Sequence, residues 1–245
     1  MKYNGSDIKW VWLDLDDTLI DFTLNSRRAL DRLYREEGLG QWFPDADTWR
    51  ECYEGHNYPL WDQLSRGEIT TVFLRMERFR RPLTDAGVDN CVAIRMSERF
   101  DPLYLDFLAQ EKATVDGAFD LLRRLYVAEV RVGVLSNGFA DVQHRKMRNA
   151  GISPYIDLTV LSDDIGIPKP DIRLYRHAME RAACTDASAH LMIGDNPDTD
   201  IAGALRAGWQ AILLQPQHCD KARKTPPEGA ASADTLAEAA SLLGI

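Results

Sequence analysis

Apolar residues along this chain fall into two kinds of pattern. Short, mostly apolar runs lie at positions 10–13, 130–135, 158–161, 190–193 and 210–214. Runs of this length, rich in β-branched and aromatic residues, predict strands buried on both faces. Helical spacing fills the intervals, at about 118–126, 141–150, 170–183 and 199–207. Gly151 stops the second of these stretches and Gly208 is placed to cap the fourth. In the third, Pro170 suits the first helical position and Asp171 the positive end of the helix dipole. Strands alternating with helices predict an α/β fold, a doubly wound and mostly parallel sheet.

The stretch 21–111 is patterned differently. Val72, Met76, Phe79, Leu83 and Ala86 step by four and three, and Ala93, Met96, Phe100, Leu103 and Phe107 by three and four. Both are helical stripes, and no strand pattern interrupts them. Positions 27–37, closed by Gly38, also read as helix. A helical block inserted after the first strand reads as a cap over the sheet edge; a subdomain with a purely stabilising role is the plainer alternative. The expected division is a Rossmann-like core of residues 1–20 and 112–245 with an all-helical cap at 21–111. The Thr225-Pro226-Pro227-Glu228-Gly229 segment predicts an exposed loop before a last helix at about 236–243.

A length of 245 residues accommodates a domain carrying such an insertion and buries enough apolar surface to stand without staples. The 29 basic and 38 acidic residues give a net charge of −9. That balance offers no long-range attraction to nucleic acid or anionic lipid, so neither polymer nor membrane is an expected partner. A small anion, which feels the local site, is not excluded. Cys52, Cys91, Cys184 and Cys219 stand far apart, with no CxxC pair and no Cys/His spacing suited to zinc. They read as reduced thiols. Positions 1–9 lack the apolar core of a secretory signal, and charges interrupt every apolar run, so a cytoplasmic protein is expected.

Four polar clusters fall at or just beyond the C-terminal ends of predicted strands, the edge where open parallel sheets bind ligands. In Asp14-Leu15-Asp16, residues two apart on a strand project to one side, so both carboxylates face one ligand. Two such acids repel unless a cation or proton relieves them; an Asp-rich turn is the competing reading. Ser136-Asn137-Gly138 offers a hydroxyl, an amide and backbone N–H groups to phosphate, or is an ordinary turn. In Pro168-Lys169-Pro170 the flanking prolines aim an ammonium, unless Lys169 is a solvated loop residue. In Gly194-Asp195-Asn196-Pro197-Asp198-Thr199-Asp200, the acids suit Mg²⁺, or they start a helix. For Asp198 the helix-start reading is preferred, and for Asp195 and Asp200 the metal reading.

Taken in order, DLDDT, SNG, KP and GDNPDTD resemble the haloacid dehalogenase-like hydrolase superfamily, over positions 10–214. The resemblance implies a phosphatase in which Asp14 is the nucleophile and Asp16 the general acid and base. It implies that Ser136, Asn137 and Lys169 bind phosphate, with Lys169 also steadying the nucleophile. The cofactor implied is Mg²⁺, held by the Asp14 carboxylate, the Asp16 main-chain oxygen and Asp195, with Asp200 in support. The helical insert, through Asn57-Tyr58-Pro59-Leu60-Trp61, Gly67-Glu68-Ile69-Thr70, Arg75 and Arg78-Phe79, resembles a branch holding pyrimidine 5′-nucleotidases and N-acylneuraminate 9-phosphatases. Asn57, Trp61 and Phe139 are the specificity candidates this suggests, and Tyr58, Trp61 and Phe79 the possible surfaces for a nucleobase, with packing in the cap core the competing reading for Trp61 and Phe79. The expected substrate is a small phosphomonoester, with pyrimidine nucleoside 5′-monophosphates first. N-acylneuraminate 9-phosphate, sugar phosphates and a phosphomutase reaction are the alternatives. Dehalogenation is disfavoured by the second acid, Asp16, and a silent phosphate-binding regulator by the completeness of the motifs.

Overall fold

The computed structural model describes residues 1–215 and 222–245. Strands β1 (Lys2–Tyr3) and β2 (Ser6–Asp7) form an antiparallel ribbon. The main sheet consists of β3 (Trp10–Leu13), β4 (Arg131–Ser136), β5 (Leu158–Leu161), β6 (His190–Gly194), β7 (Gln210–Leu214) and β8 (Ala231–Ala233). These six strands run in the order β5-β4-β3-β6-β7-β8. Every neighbouring pair is parallel. The edge strand β8 was not foreseen, because Ala-Ser-Ala carries no apolar run for a pattern to detect.

The described residues divide into two compact units, Met1–Phe22 with Lys112–Ile245 and Thr23–Glu111. The second unit holds α1 (Phe22–Glu36, but for its first residue), α2 (Ala46–Ser65), α3 (Thr71–Asp85) and α4 (Asn90–Gln110). Asp45, Thr70 and Asp89 cap the last three by accepting main-chain N–H bonds. Phe79 is fully buried among Trp49, Tyr53, Phe100 and Tyr104, with ring centroids 5.0 to 6.3 Å away. Core packing consumes that ring, so it is no surface for a nucleobase. Cys52, His56 and Asp85 bring their ligand atoms within 4.8 Å of one another, a grouping that linear spacing did not signal. His56 Nε2 is engaged with Asp85 at 2.7 Å, and burial together with Asp85 raises the Cys52 thiol, which disfavours the thiolate a metal requires.

Around the sheet lie α5 (Ala118–Val127), α6 (Ala140–Asn149), α7 (Ser162–Ile165), α8 (Ile172–Arg181), α9 (Ala202–Arg206) and α10 (Leu236–Leu242). Strand alternation sends Val11 and Leu13 into a cluster with Leu121, Leu122, Leu125 and Leu236. Trp12 goes to the opposite face, with Leu174, Met192 and Trp209. There the Trp12 indole donates to His190 Nδ1 at 2.9 Å, so Nε2 carries the hydrogen and donates to Cys184 O at 2.9 Å. Burial keeps this imidazole neutral by lowering its proton affinity.

Two helix starts differ from expectation. Asp171, not Pro170, opens α8: its side chain accepts from Arg173 N at 2.9 Å, and the proline precedes the cap. The last motif begins with a π-helical turn, Pro197–Ile201, before α9: Ala202 N donates to Pro197 O, and Asn196 Oδ1 caps the turn by accepting from Asp198 N and Thr199 N at 3.0 and 3.1 Å. Among the described residues, no helix is long and apolar enough to cross a membrane. Cys52, Cys91 and Cys184 are free thiols, while Cys219 lies outside the described residues.

Candidate active site

Parallel pairing sets the C-terminal ends of β3, β4 and β6 side by side, and each end carries a polar cluster. Strand β3 ends at Leu13, so Asp14 and Asp16 do not alternate along a strand as their spacing suggested. The chain instead turns, with Asp17 in the left-handed region at φ 56° and Asp17 N bonded to Ile20 O at 2.8 Å. Leu15 is fully buried. The turn gives the two carboxylates different partners.

Asp14 faces Lys169, whose Nζ donates to Asp14 Oδ1 at 2.5 Å, to Leu135 O at 2.8 Å and to Asp200 Oδ1 at 2.7 Å. An ammonium has three hydrogens, and these acceptors use all three. The lysine is 2% exposed, so it is no solvated loop residue. Asn137 fixes its backbone: Oδ1 accepts from Lys169 N at 2.7 Å and Nδ2 donates to Lys169 O at 3.0 Å. One Nδ2 hydrogen then remains for a ligand. Asp200, 1% exposed, is held by Asn196 N at 3.0 Å, and the Tyr175 hydroxyl binds the carbonyls of Thr199 and Asp200 at 2.6 and 3.1 Å. Gly194 permits this approach, since a Cβ there would lie 2.3 Å from Asp200 Oδ2.

Asp14, Asp195 and Asp200 bring carboxylate oxygens within 4.8 Å of one another. Burial raises the Asp14 carboxyl well above the usual carboxylate range; Lys169 opposes the rise, and Asp200, Asp195 and Asp16 add to it. Burial likewise raises Asp195, to about 6, against the pull of Lys224. Desolvation alone would depress the Lys169 ammonium, yet Asp14 and Asp200 carry it above its ordinary value. Among the described residues, the cluster thus holds one more carboxylate than the ammonium groups of Lys169 and Lys224 neutralise. A set of hard oxygens short of positive charge fits a divalent cation such as Mg²⁺.

Asp16 is turned elsewhere. Its Oδ2 accepts from Gln143 Nε2 at 2.8 Å, and its Oδ1 accepts from Lys146 Nζ. Ser136 Oγ accepts from Gln143 Nε2 at 2.8 Å and from Gly138 N at 3.2 Å. With those two bonds accepted, the hydroxyl keeps its own hydrogen as a donor. Phe139 is half-buried at the N-cap of α6. Asn57 and Trp61 belong to the 23–111 unit: Asn57 is buried and accepts from the Tyr53 hydroxyl at 3.4 Å, and Trp61 is half-buried on α2.

Three residues escaped the sequence reading. Lys224 donates to Asp195 O and Oδ2 at 2.6 and 2.9 Å, its backbone held by the Gln215 amide at 2.9 Å in both directions. No local pattern around Lys224 marks it. Gln143 and Lys146 did leave a signal, being polar positions one turn apart on the arc of α6 that also buries Val142 and Met147.

The model of the haloacid dehalogenase-like hydrolases matches residues 8–208. The pyrimidine 5′-nucleotidase YjjG of Escherichia coli K12 is 28% identical, covering 93% of this chain and 92% of that protein. A glyceraldehyde 3-phosphate phosphatase of Methanothermobacter thermautotrophicus is 37% identical over 84% of this chain and 85% of its own length. The magnesium-bound structure of the HAD-hydrolase YfnB from Bacillus subtilis superposes with a TM-score of 0.84 at 25% identity, covering 98% of this chain and 100% of that one.

Proposed function

This chain belongs to the haloacid dehalogenase-like hydrolase family, and from that premise we propose a Mg²⁺-dependent phosphatase acting through a phosphoaspartyl intermediate on Asp14. The observation that supports it most directly is the cluster of Asp14, Asp195 and Asp200 at the sheet edge, with Lys169 bonded to Asp14 and Asp200.

In the first step the Asp14 carboxylate attacks phosphorus, the ester P–O bond breaks, and the leaving oxygen takes a proton from Asp16. In the second, Asp16 accepts a proton from water as its oxygen attacks the aspartyl phosphate, which releases phosphate and restores Asp14. The contact with Lys146 holds the Asp16 side chain in place for both steps. Lys169 keeps nucleophile and phosphoryl group together against their repulsion, while Ser136 and the remaining Asn137 hydrogen donate to phosphate oxygens. Asp14, the main-chain oxygen of Asp16 and Asp195 would hold Mg²⁺, backed by Asp200, and its charge would offset that of the phosphate dianion.

Proton and metal compete for these carboxylates. An acid whose folded value is raised favours the protonated fold, so this contribution to stability is present below the ordinary carboxylate range. It is lost as pH rises through about 6. The melting-temperature gain from Mg²⁺ is therefore expected to be larger at about pH 7.5 than at about pH 5. Thermal melts with and without the ion check this, and equal gains would count against the site.

For the substrate, we place pyrimidine nucleoside 5′-monophosphates first, on the likeness to YjjG. With Phe79 buried, Tyr58 (50% exposed) and Trp61 remain as candidates to stack on a base. Such stacking contributes about 1–3 kcal/mol, enough for roughly tenfold preference over an aliphatic phosphate. The experiment is kcat/KM for UMP, dUMP, dTMP, glyceraldehyde 3-phosphate, glycerol phosphate, hexose phosphates and N-acylneuraminate 9-phosphate. Nucleotides are expected to lead, and Trp61→Ala to cost them more than it costs glycerol phosphate. Preference for glyceraldehyde 3-phosphate would instead follow the archaeal relative and reject the nucleotidase assignment.

A further inference from the structure

Lys146 presents an energetic problem before it presents a chemical one. Its ammonium is buried, with the residue 2% exposed, on a helix that also packs Val142 and Met147 inward. An unpaired charge in such a place costs several kcal/mol, so the position persists only if its partners recover that cost. Those partners are Asp16 Oδ1, the Gln143 carbonyl oxygen at 2.8 Å and the face of Phe22, 5.2 Å from Nζ to the ring centre.

The arrangement also fixes the Gln143 amide. Because Oε1 accepts from Lys146, the NH₂ end must point the other way, where its two hydrogens reach Asp16 Oδ2 and Ser136 Oγ, each at 2.8 Å. Flipping the amide would set its hydrogens against the ammonium and its oxygen against a carboxylate. Gly138 makes room for it: a Cβ there would sit 2.1 Å from Gln143 Nε2. One face of α6, through side chains at i and i+3, therefore grips both the acid–base carboxylate and the phosphate-binding hydroxyl.

We infer that Lys146 and Gln143 are positioning residues for catalysis: Lys146 sets Asp16 directly and through Gln143, and Gln143 ties Asp16 to Ser136. The inference rests on the acid–base reading of Asp16 given above. Neither residue touches the reacting phosphorus in this account. Their effect is to hold a carboxylate that would otherwise swing about its side-chain torsions, where displacement by about 1 Å can cost on the order of 10²-fold in rate.

The test is a double-mutant cycle of Asp16→Asn and Lys146→Met, with Gln143→Leu as a second probe, assayed on p-nitrophenyl phosphate and on an alkyl phosphate. Lys146→Met is expected to lower kcat on the alkyl phosphate by about 10- to 100-fold with KM nearly unchanged. The loss should be smaller on p-nitrophenyl phosphate, whose leaving group needs less protonation. In the Asp16→Asn background the same change should cost less than about twofold, because the group it positions is already gone. Gln143→Leu should follow the same leaving-group trend and also raise KM through Ser136. Equal losses on the two substrates, or losses that multiply with Asp16→Asn, would overturn the inference and leave Lys146 a structural residue. If Lys146→Met does not fold, Gln143→Leu carries the same comparison. Asp16→Asn with wild-type turnover would instead overturn the acid–base reading itself, an outcome visible without any change at Lys146.

Discussion

Asp14→Asn is expected to abolish turnover on every phosphomonoester while the protein melts at an unchanged or higher temperature in metal-free buffer. An amide does not attack phosphorus, and loss of a covalent nucleophile typically costs on the order of 10⁴–10⁶-fold in kcat. Stability should survive because the wild-type carboxyl is already burdened. Burial raises it well above its usual range, and Asp200, Asp195 and Asp16 add to the rise. Replacing it removes one negative charge from that cluster and leaves Lys169 its bonds to Asp200 Oδ1 and Leu135 O, at 2.7 and 2.8 Å. Activity and thermal melts on the same preparation check both halves. Near-wild-type turnover in a folded Asp14→Asn protein would end the aspartyl-phosphate mechanism.

EDTA treatment is the second change expected to bring activity to background. Asp14, Asp195 and Asp200 lie within one ion's reach, and two lysines leave one of the three carboxylates unneutralised. Adding a phosphate dianion to that cluster without a divalent cation raises the charge imbalance further. Mg²⁺ should restore turnover. Ca²⁺, larger and looser in coordination, should bind without restoring it. Full activity after exhaustive chelation would reject the metal site, and restoration by Ca²⁺ equal to that by Mg²⁺ would reject its assigned selectivity.

Much of the fold was legible because its signals are local. The runs at 158–161 and 210–214 became β5 and β7 with those bounds, since continuous apolar residues have no other way to leave water on both faces. Gly151 and Gly208 take φ 79° and 82° at helix ends, as glycine at such ends allows. Where the signal was faint, the reading failed. Ala-Ser-Ala gave no sign of β8, and Pro170 looked like a helix start until Asp171 proved to be the cap.

The motifs themselves, Asp14 to Asp16, Ser136 to Gly138, Lys169 and Asp195 to Asp200, stood in the sequence with their chemistry. Sequence by itself also determined that the Asp14, Ser136 and Asp195 clusters follow strands, because each comes directly after an apolar run. Which charge meets which was decided only in three dimensions. Lys169 and Asp14 are 155 residues apart, Lys146 and Asp16 are 130 apart, and Lys224 and Asp195 are 29 apart. A window of ten residues shows Lys146 on the arc of Val142 and Met147 but does not identify the group it meets. The sheet order β4-β3-β6 does, by setting α6 beside the turn after β3 and enclosing the ammonium where a carboxylate, an amide oxygen and an aromatic face replace water.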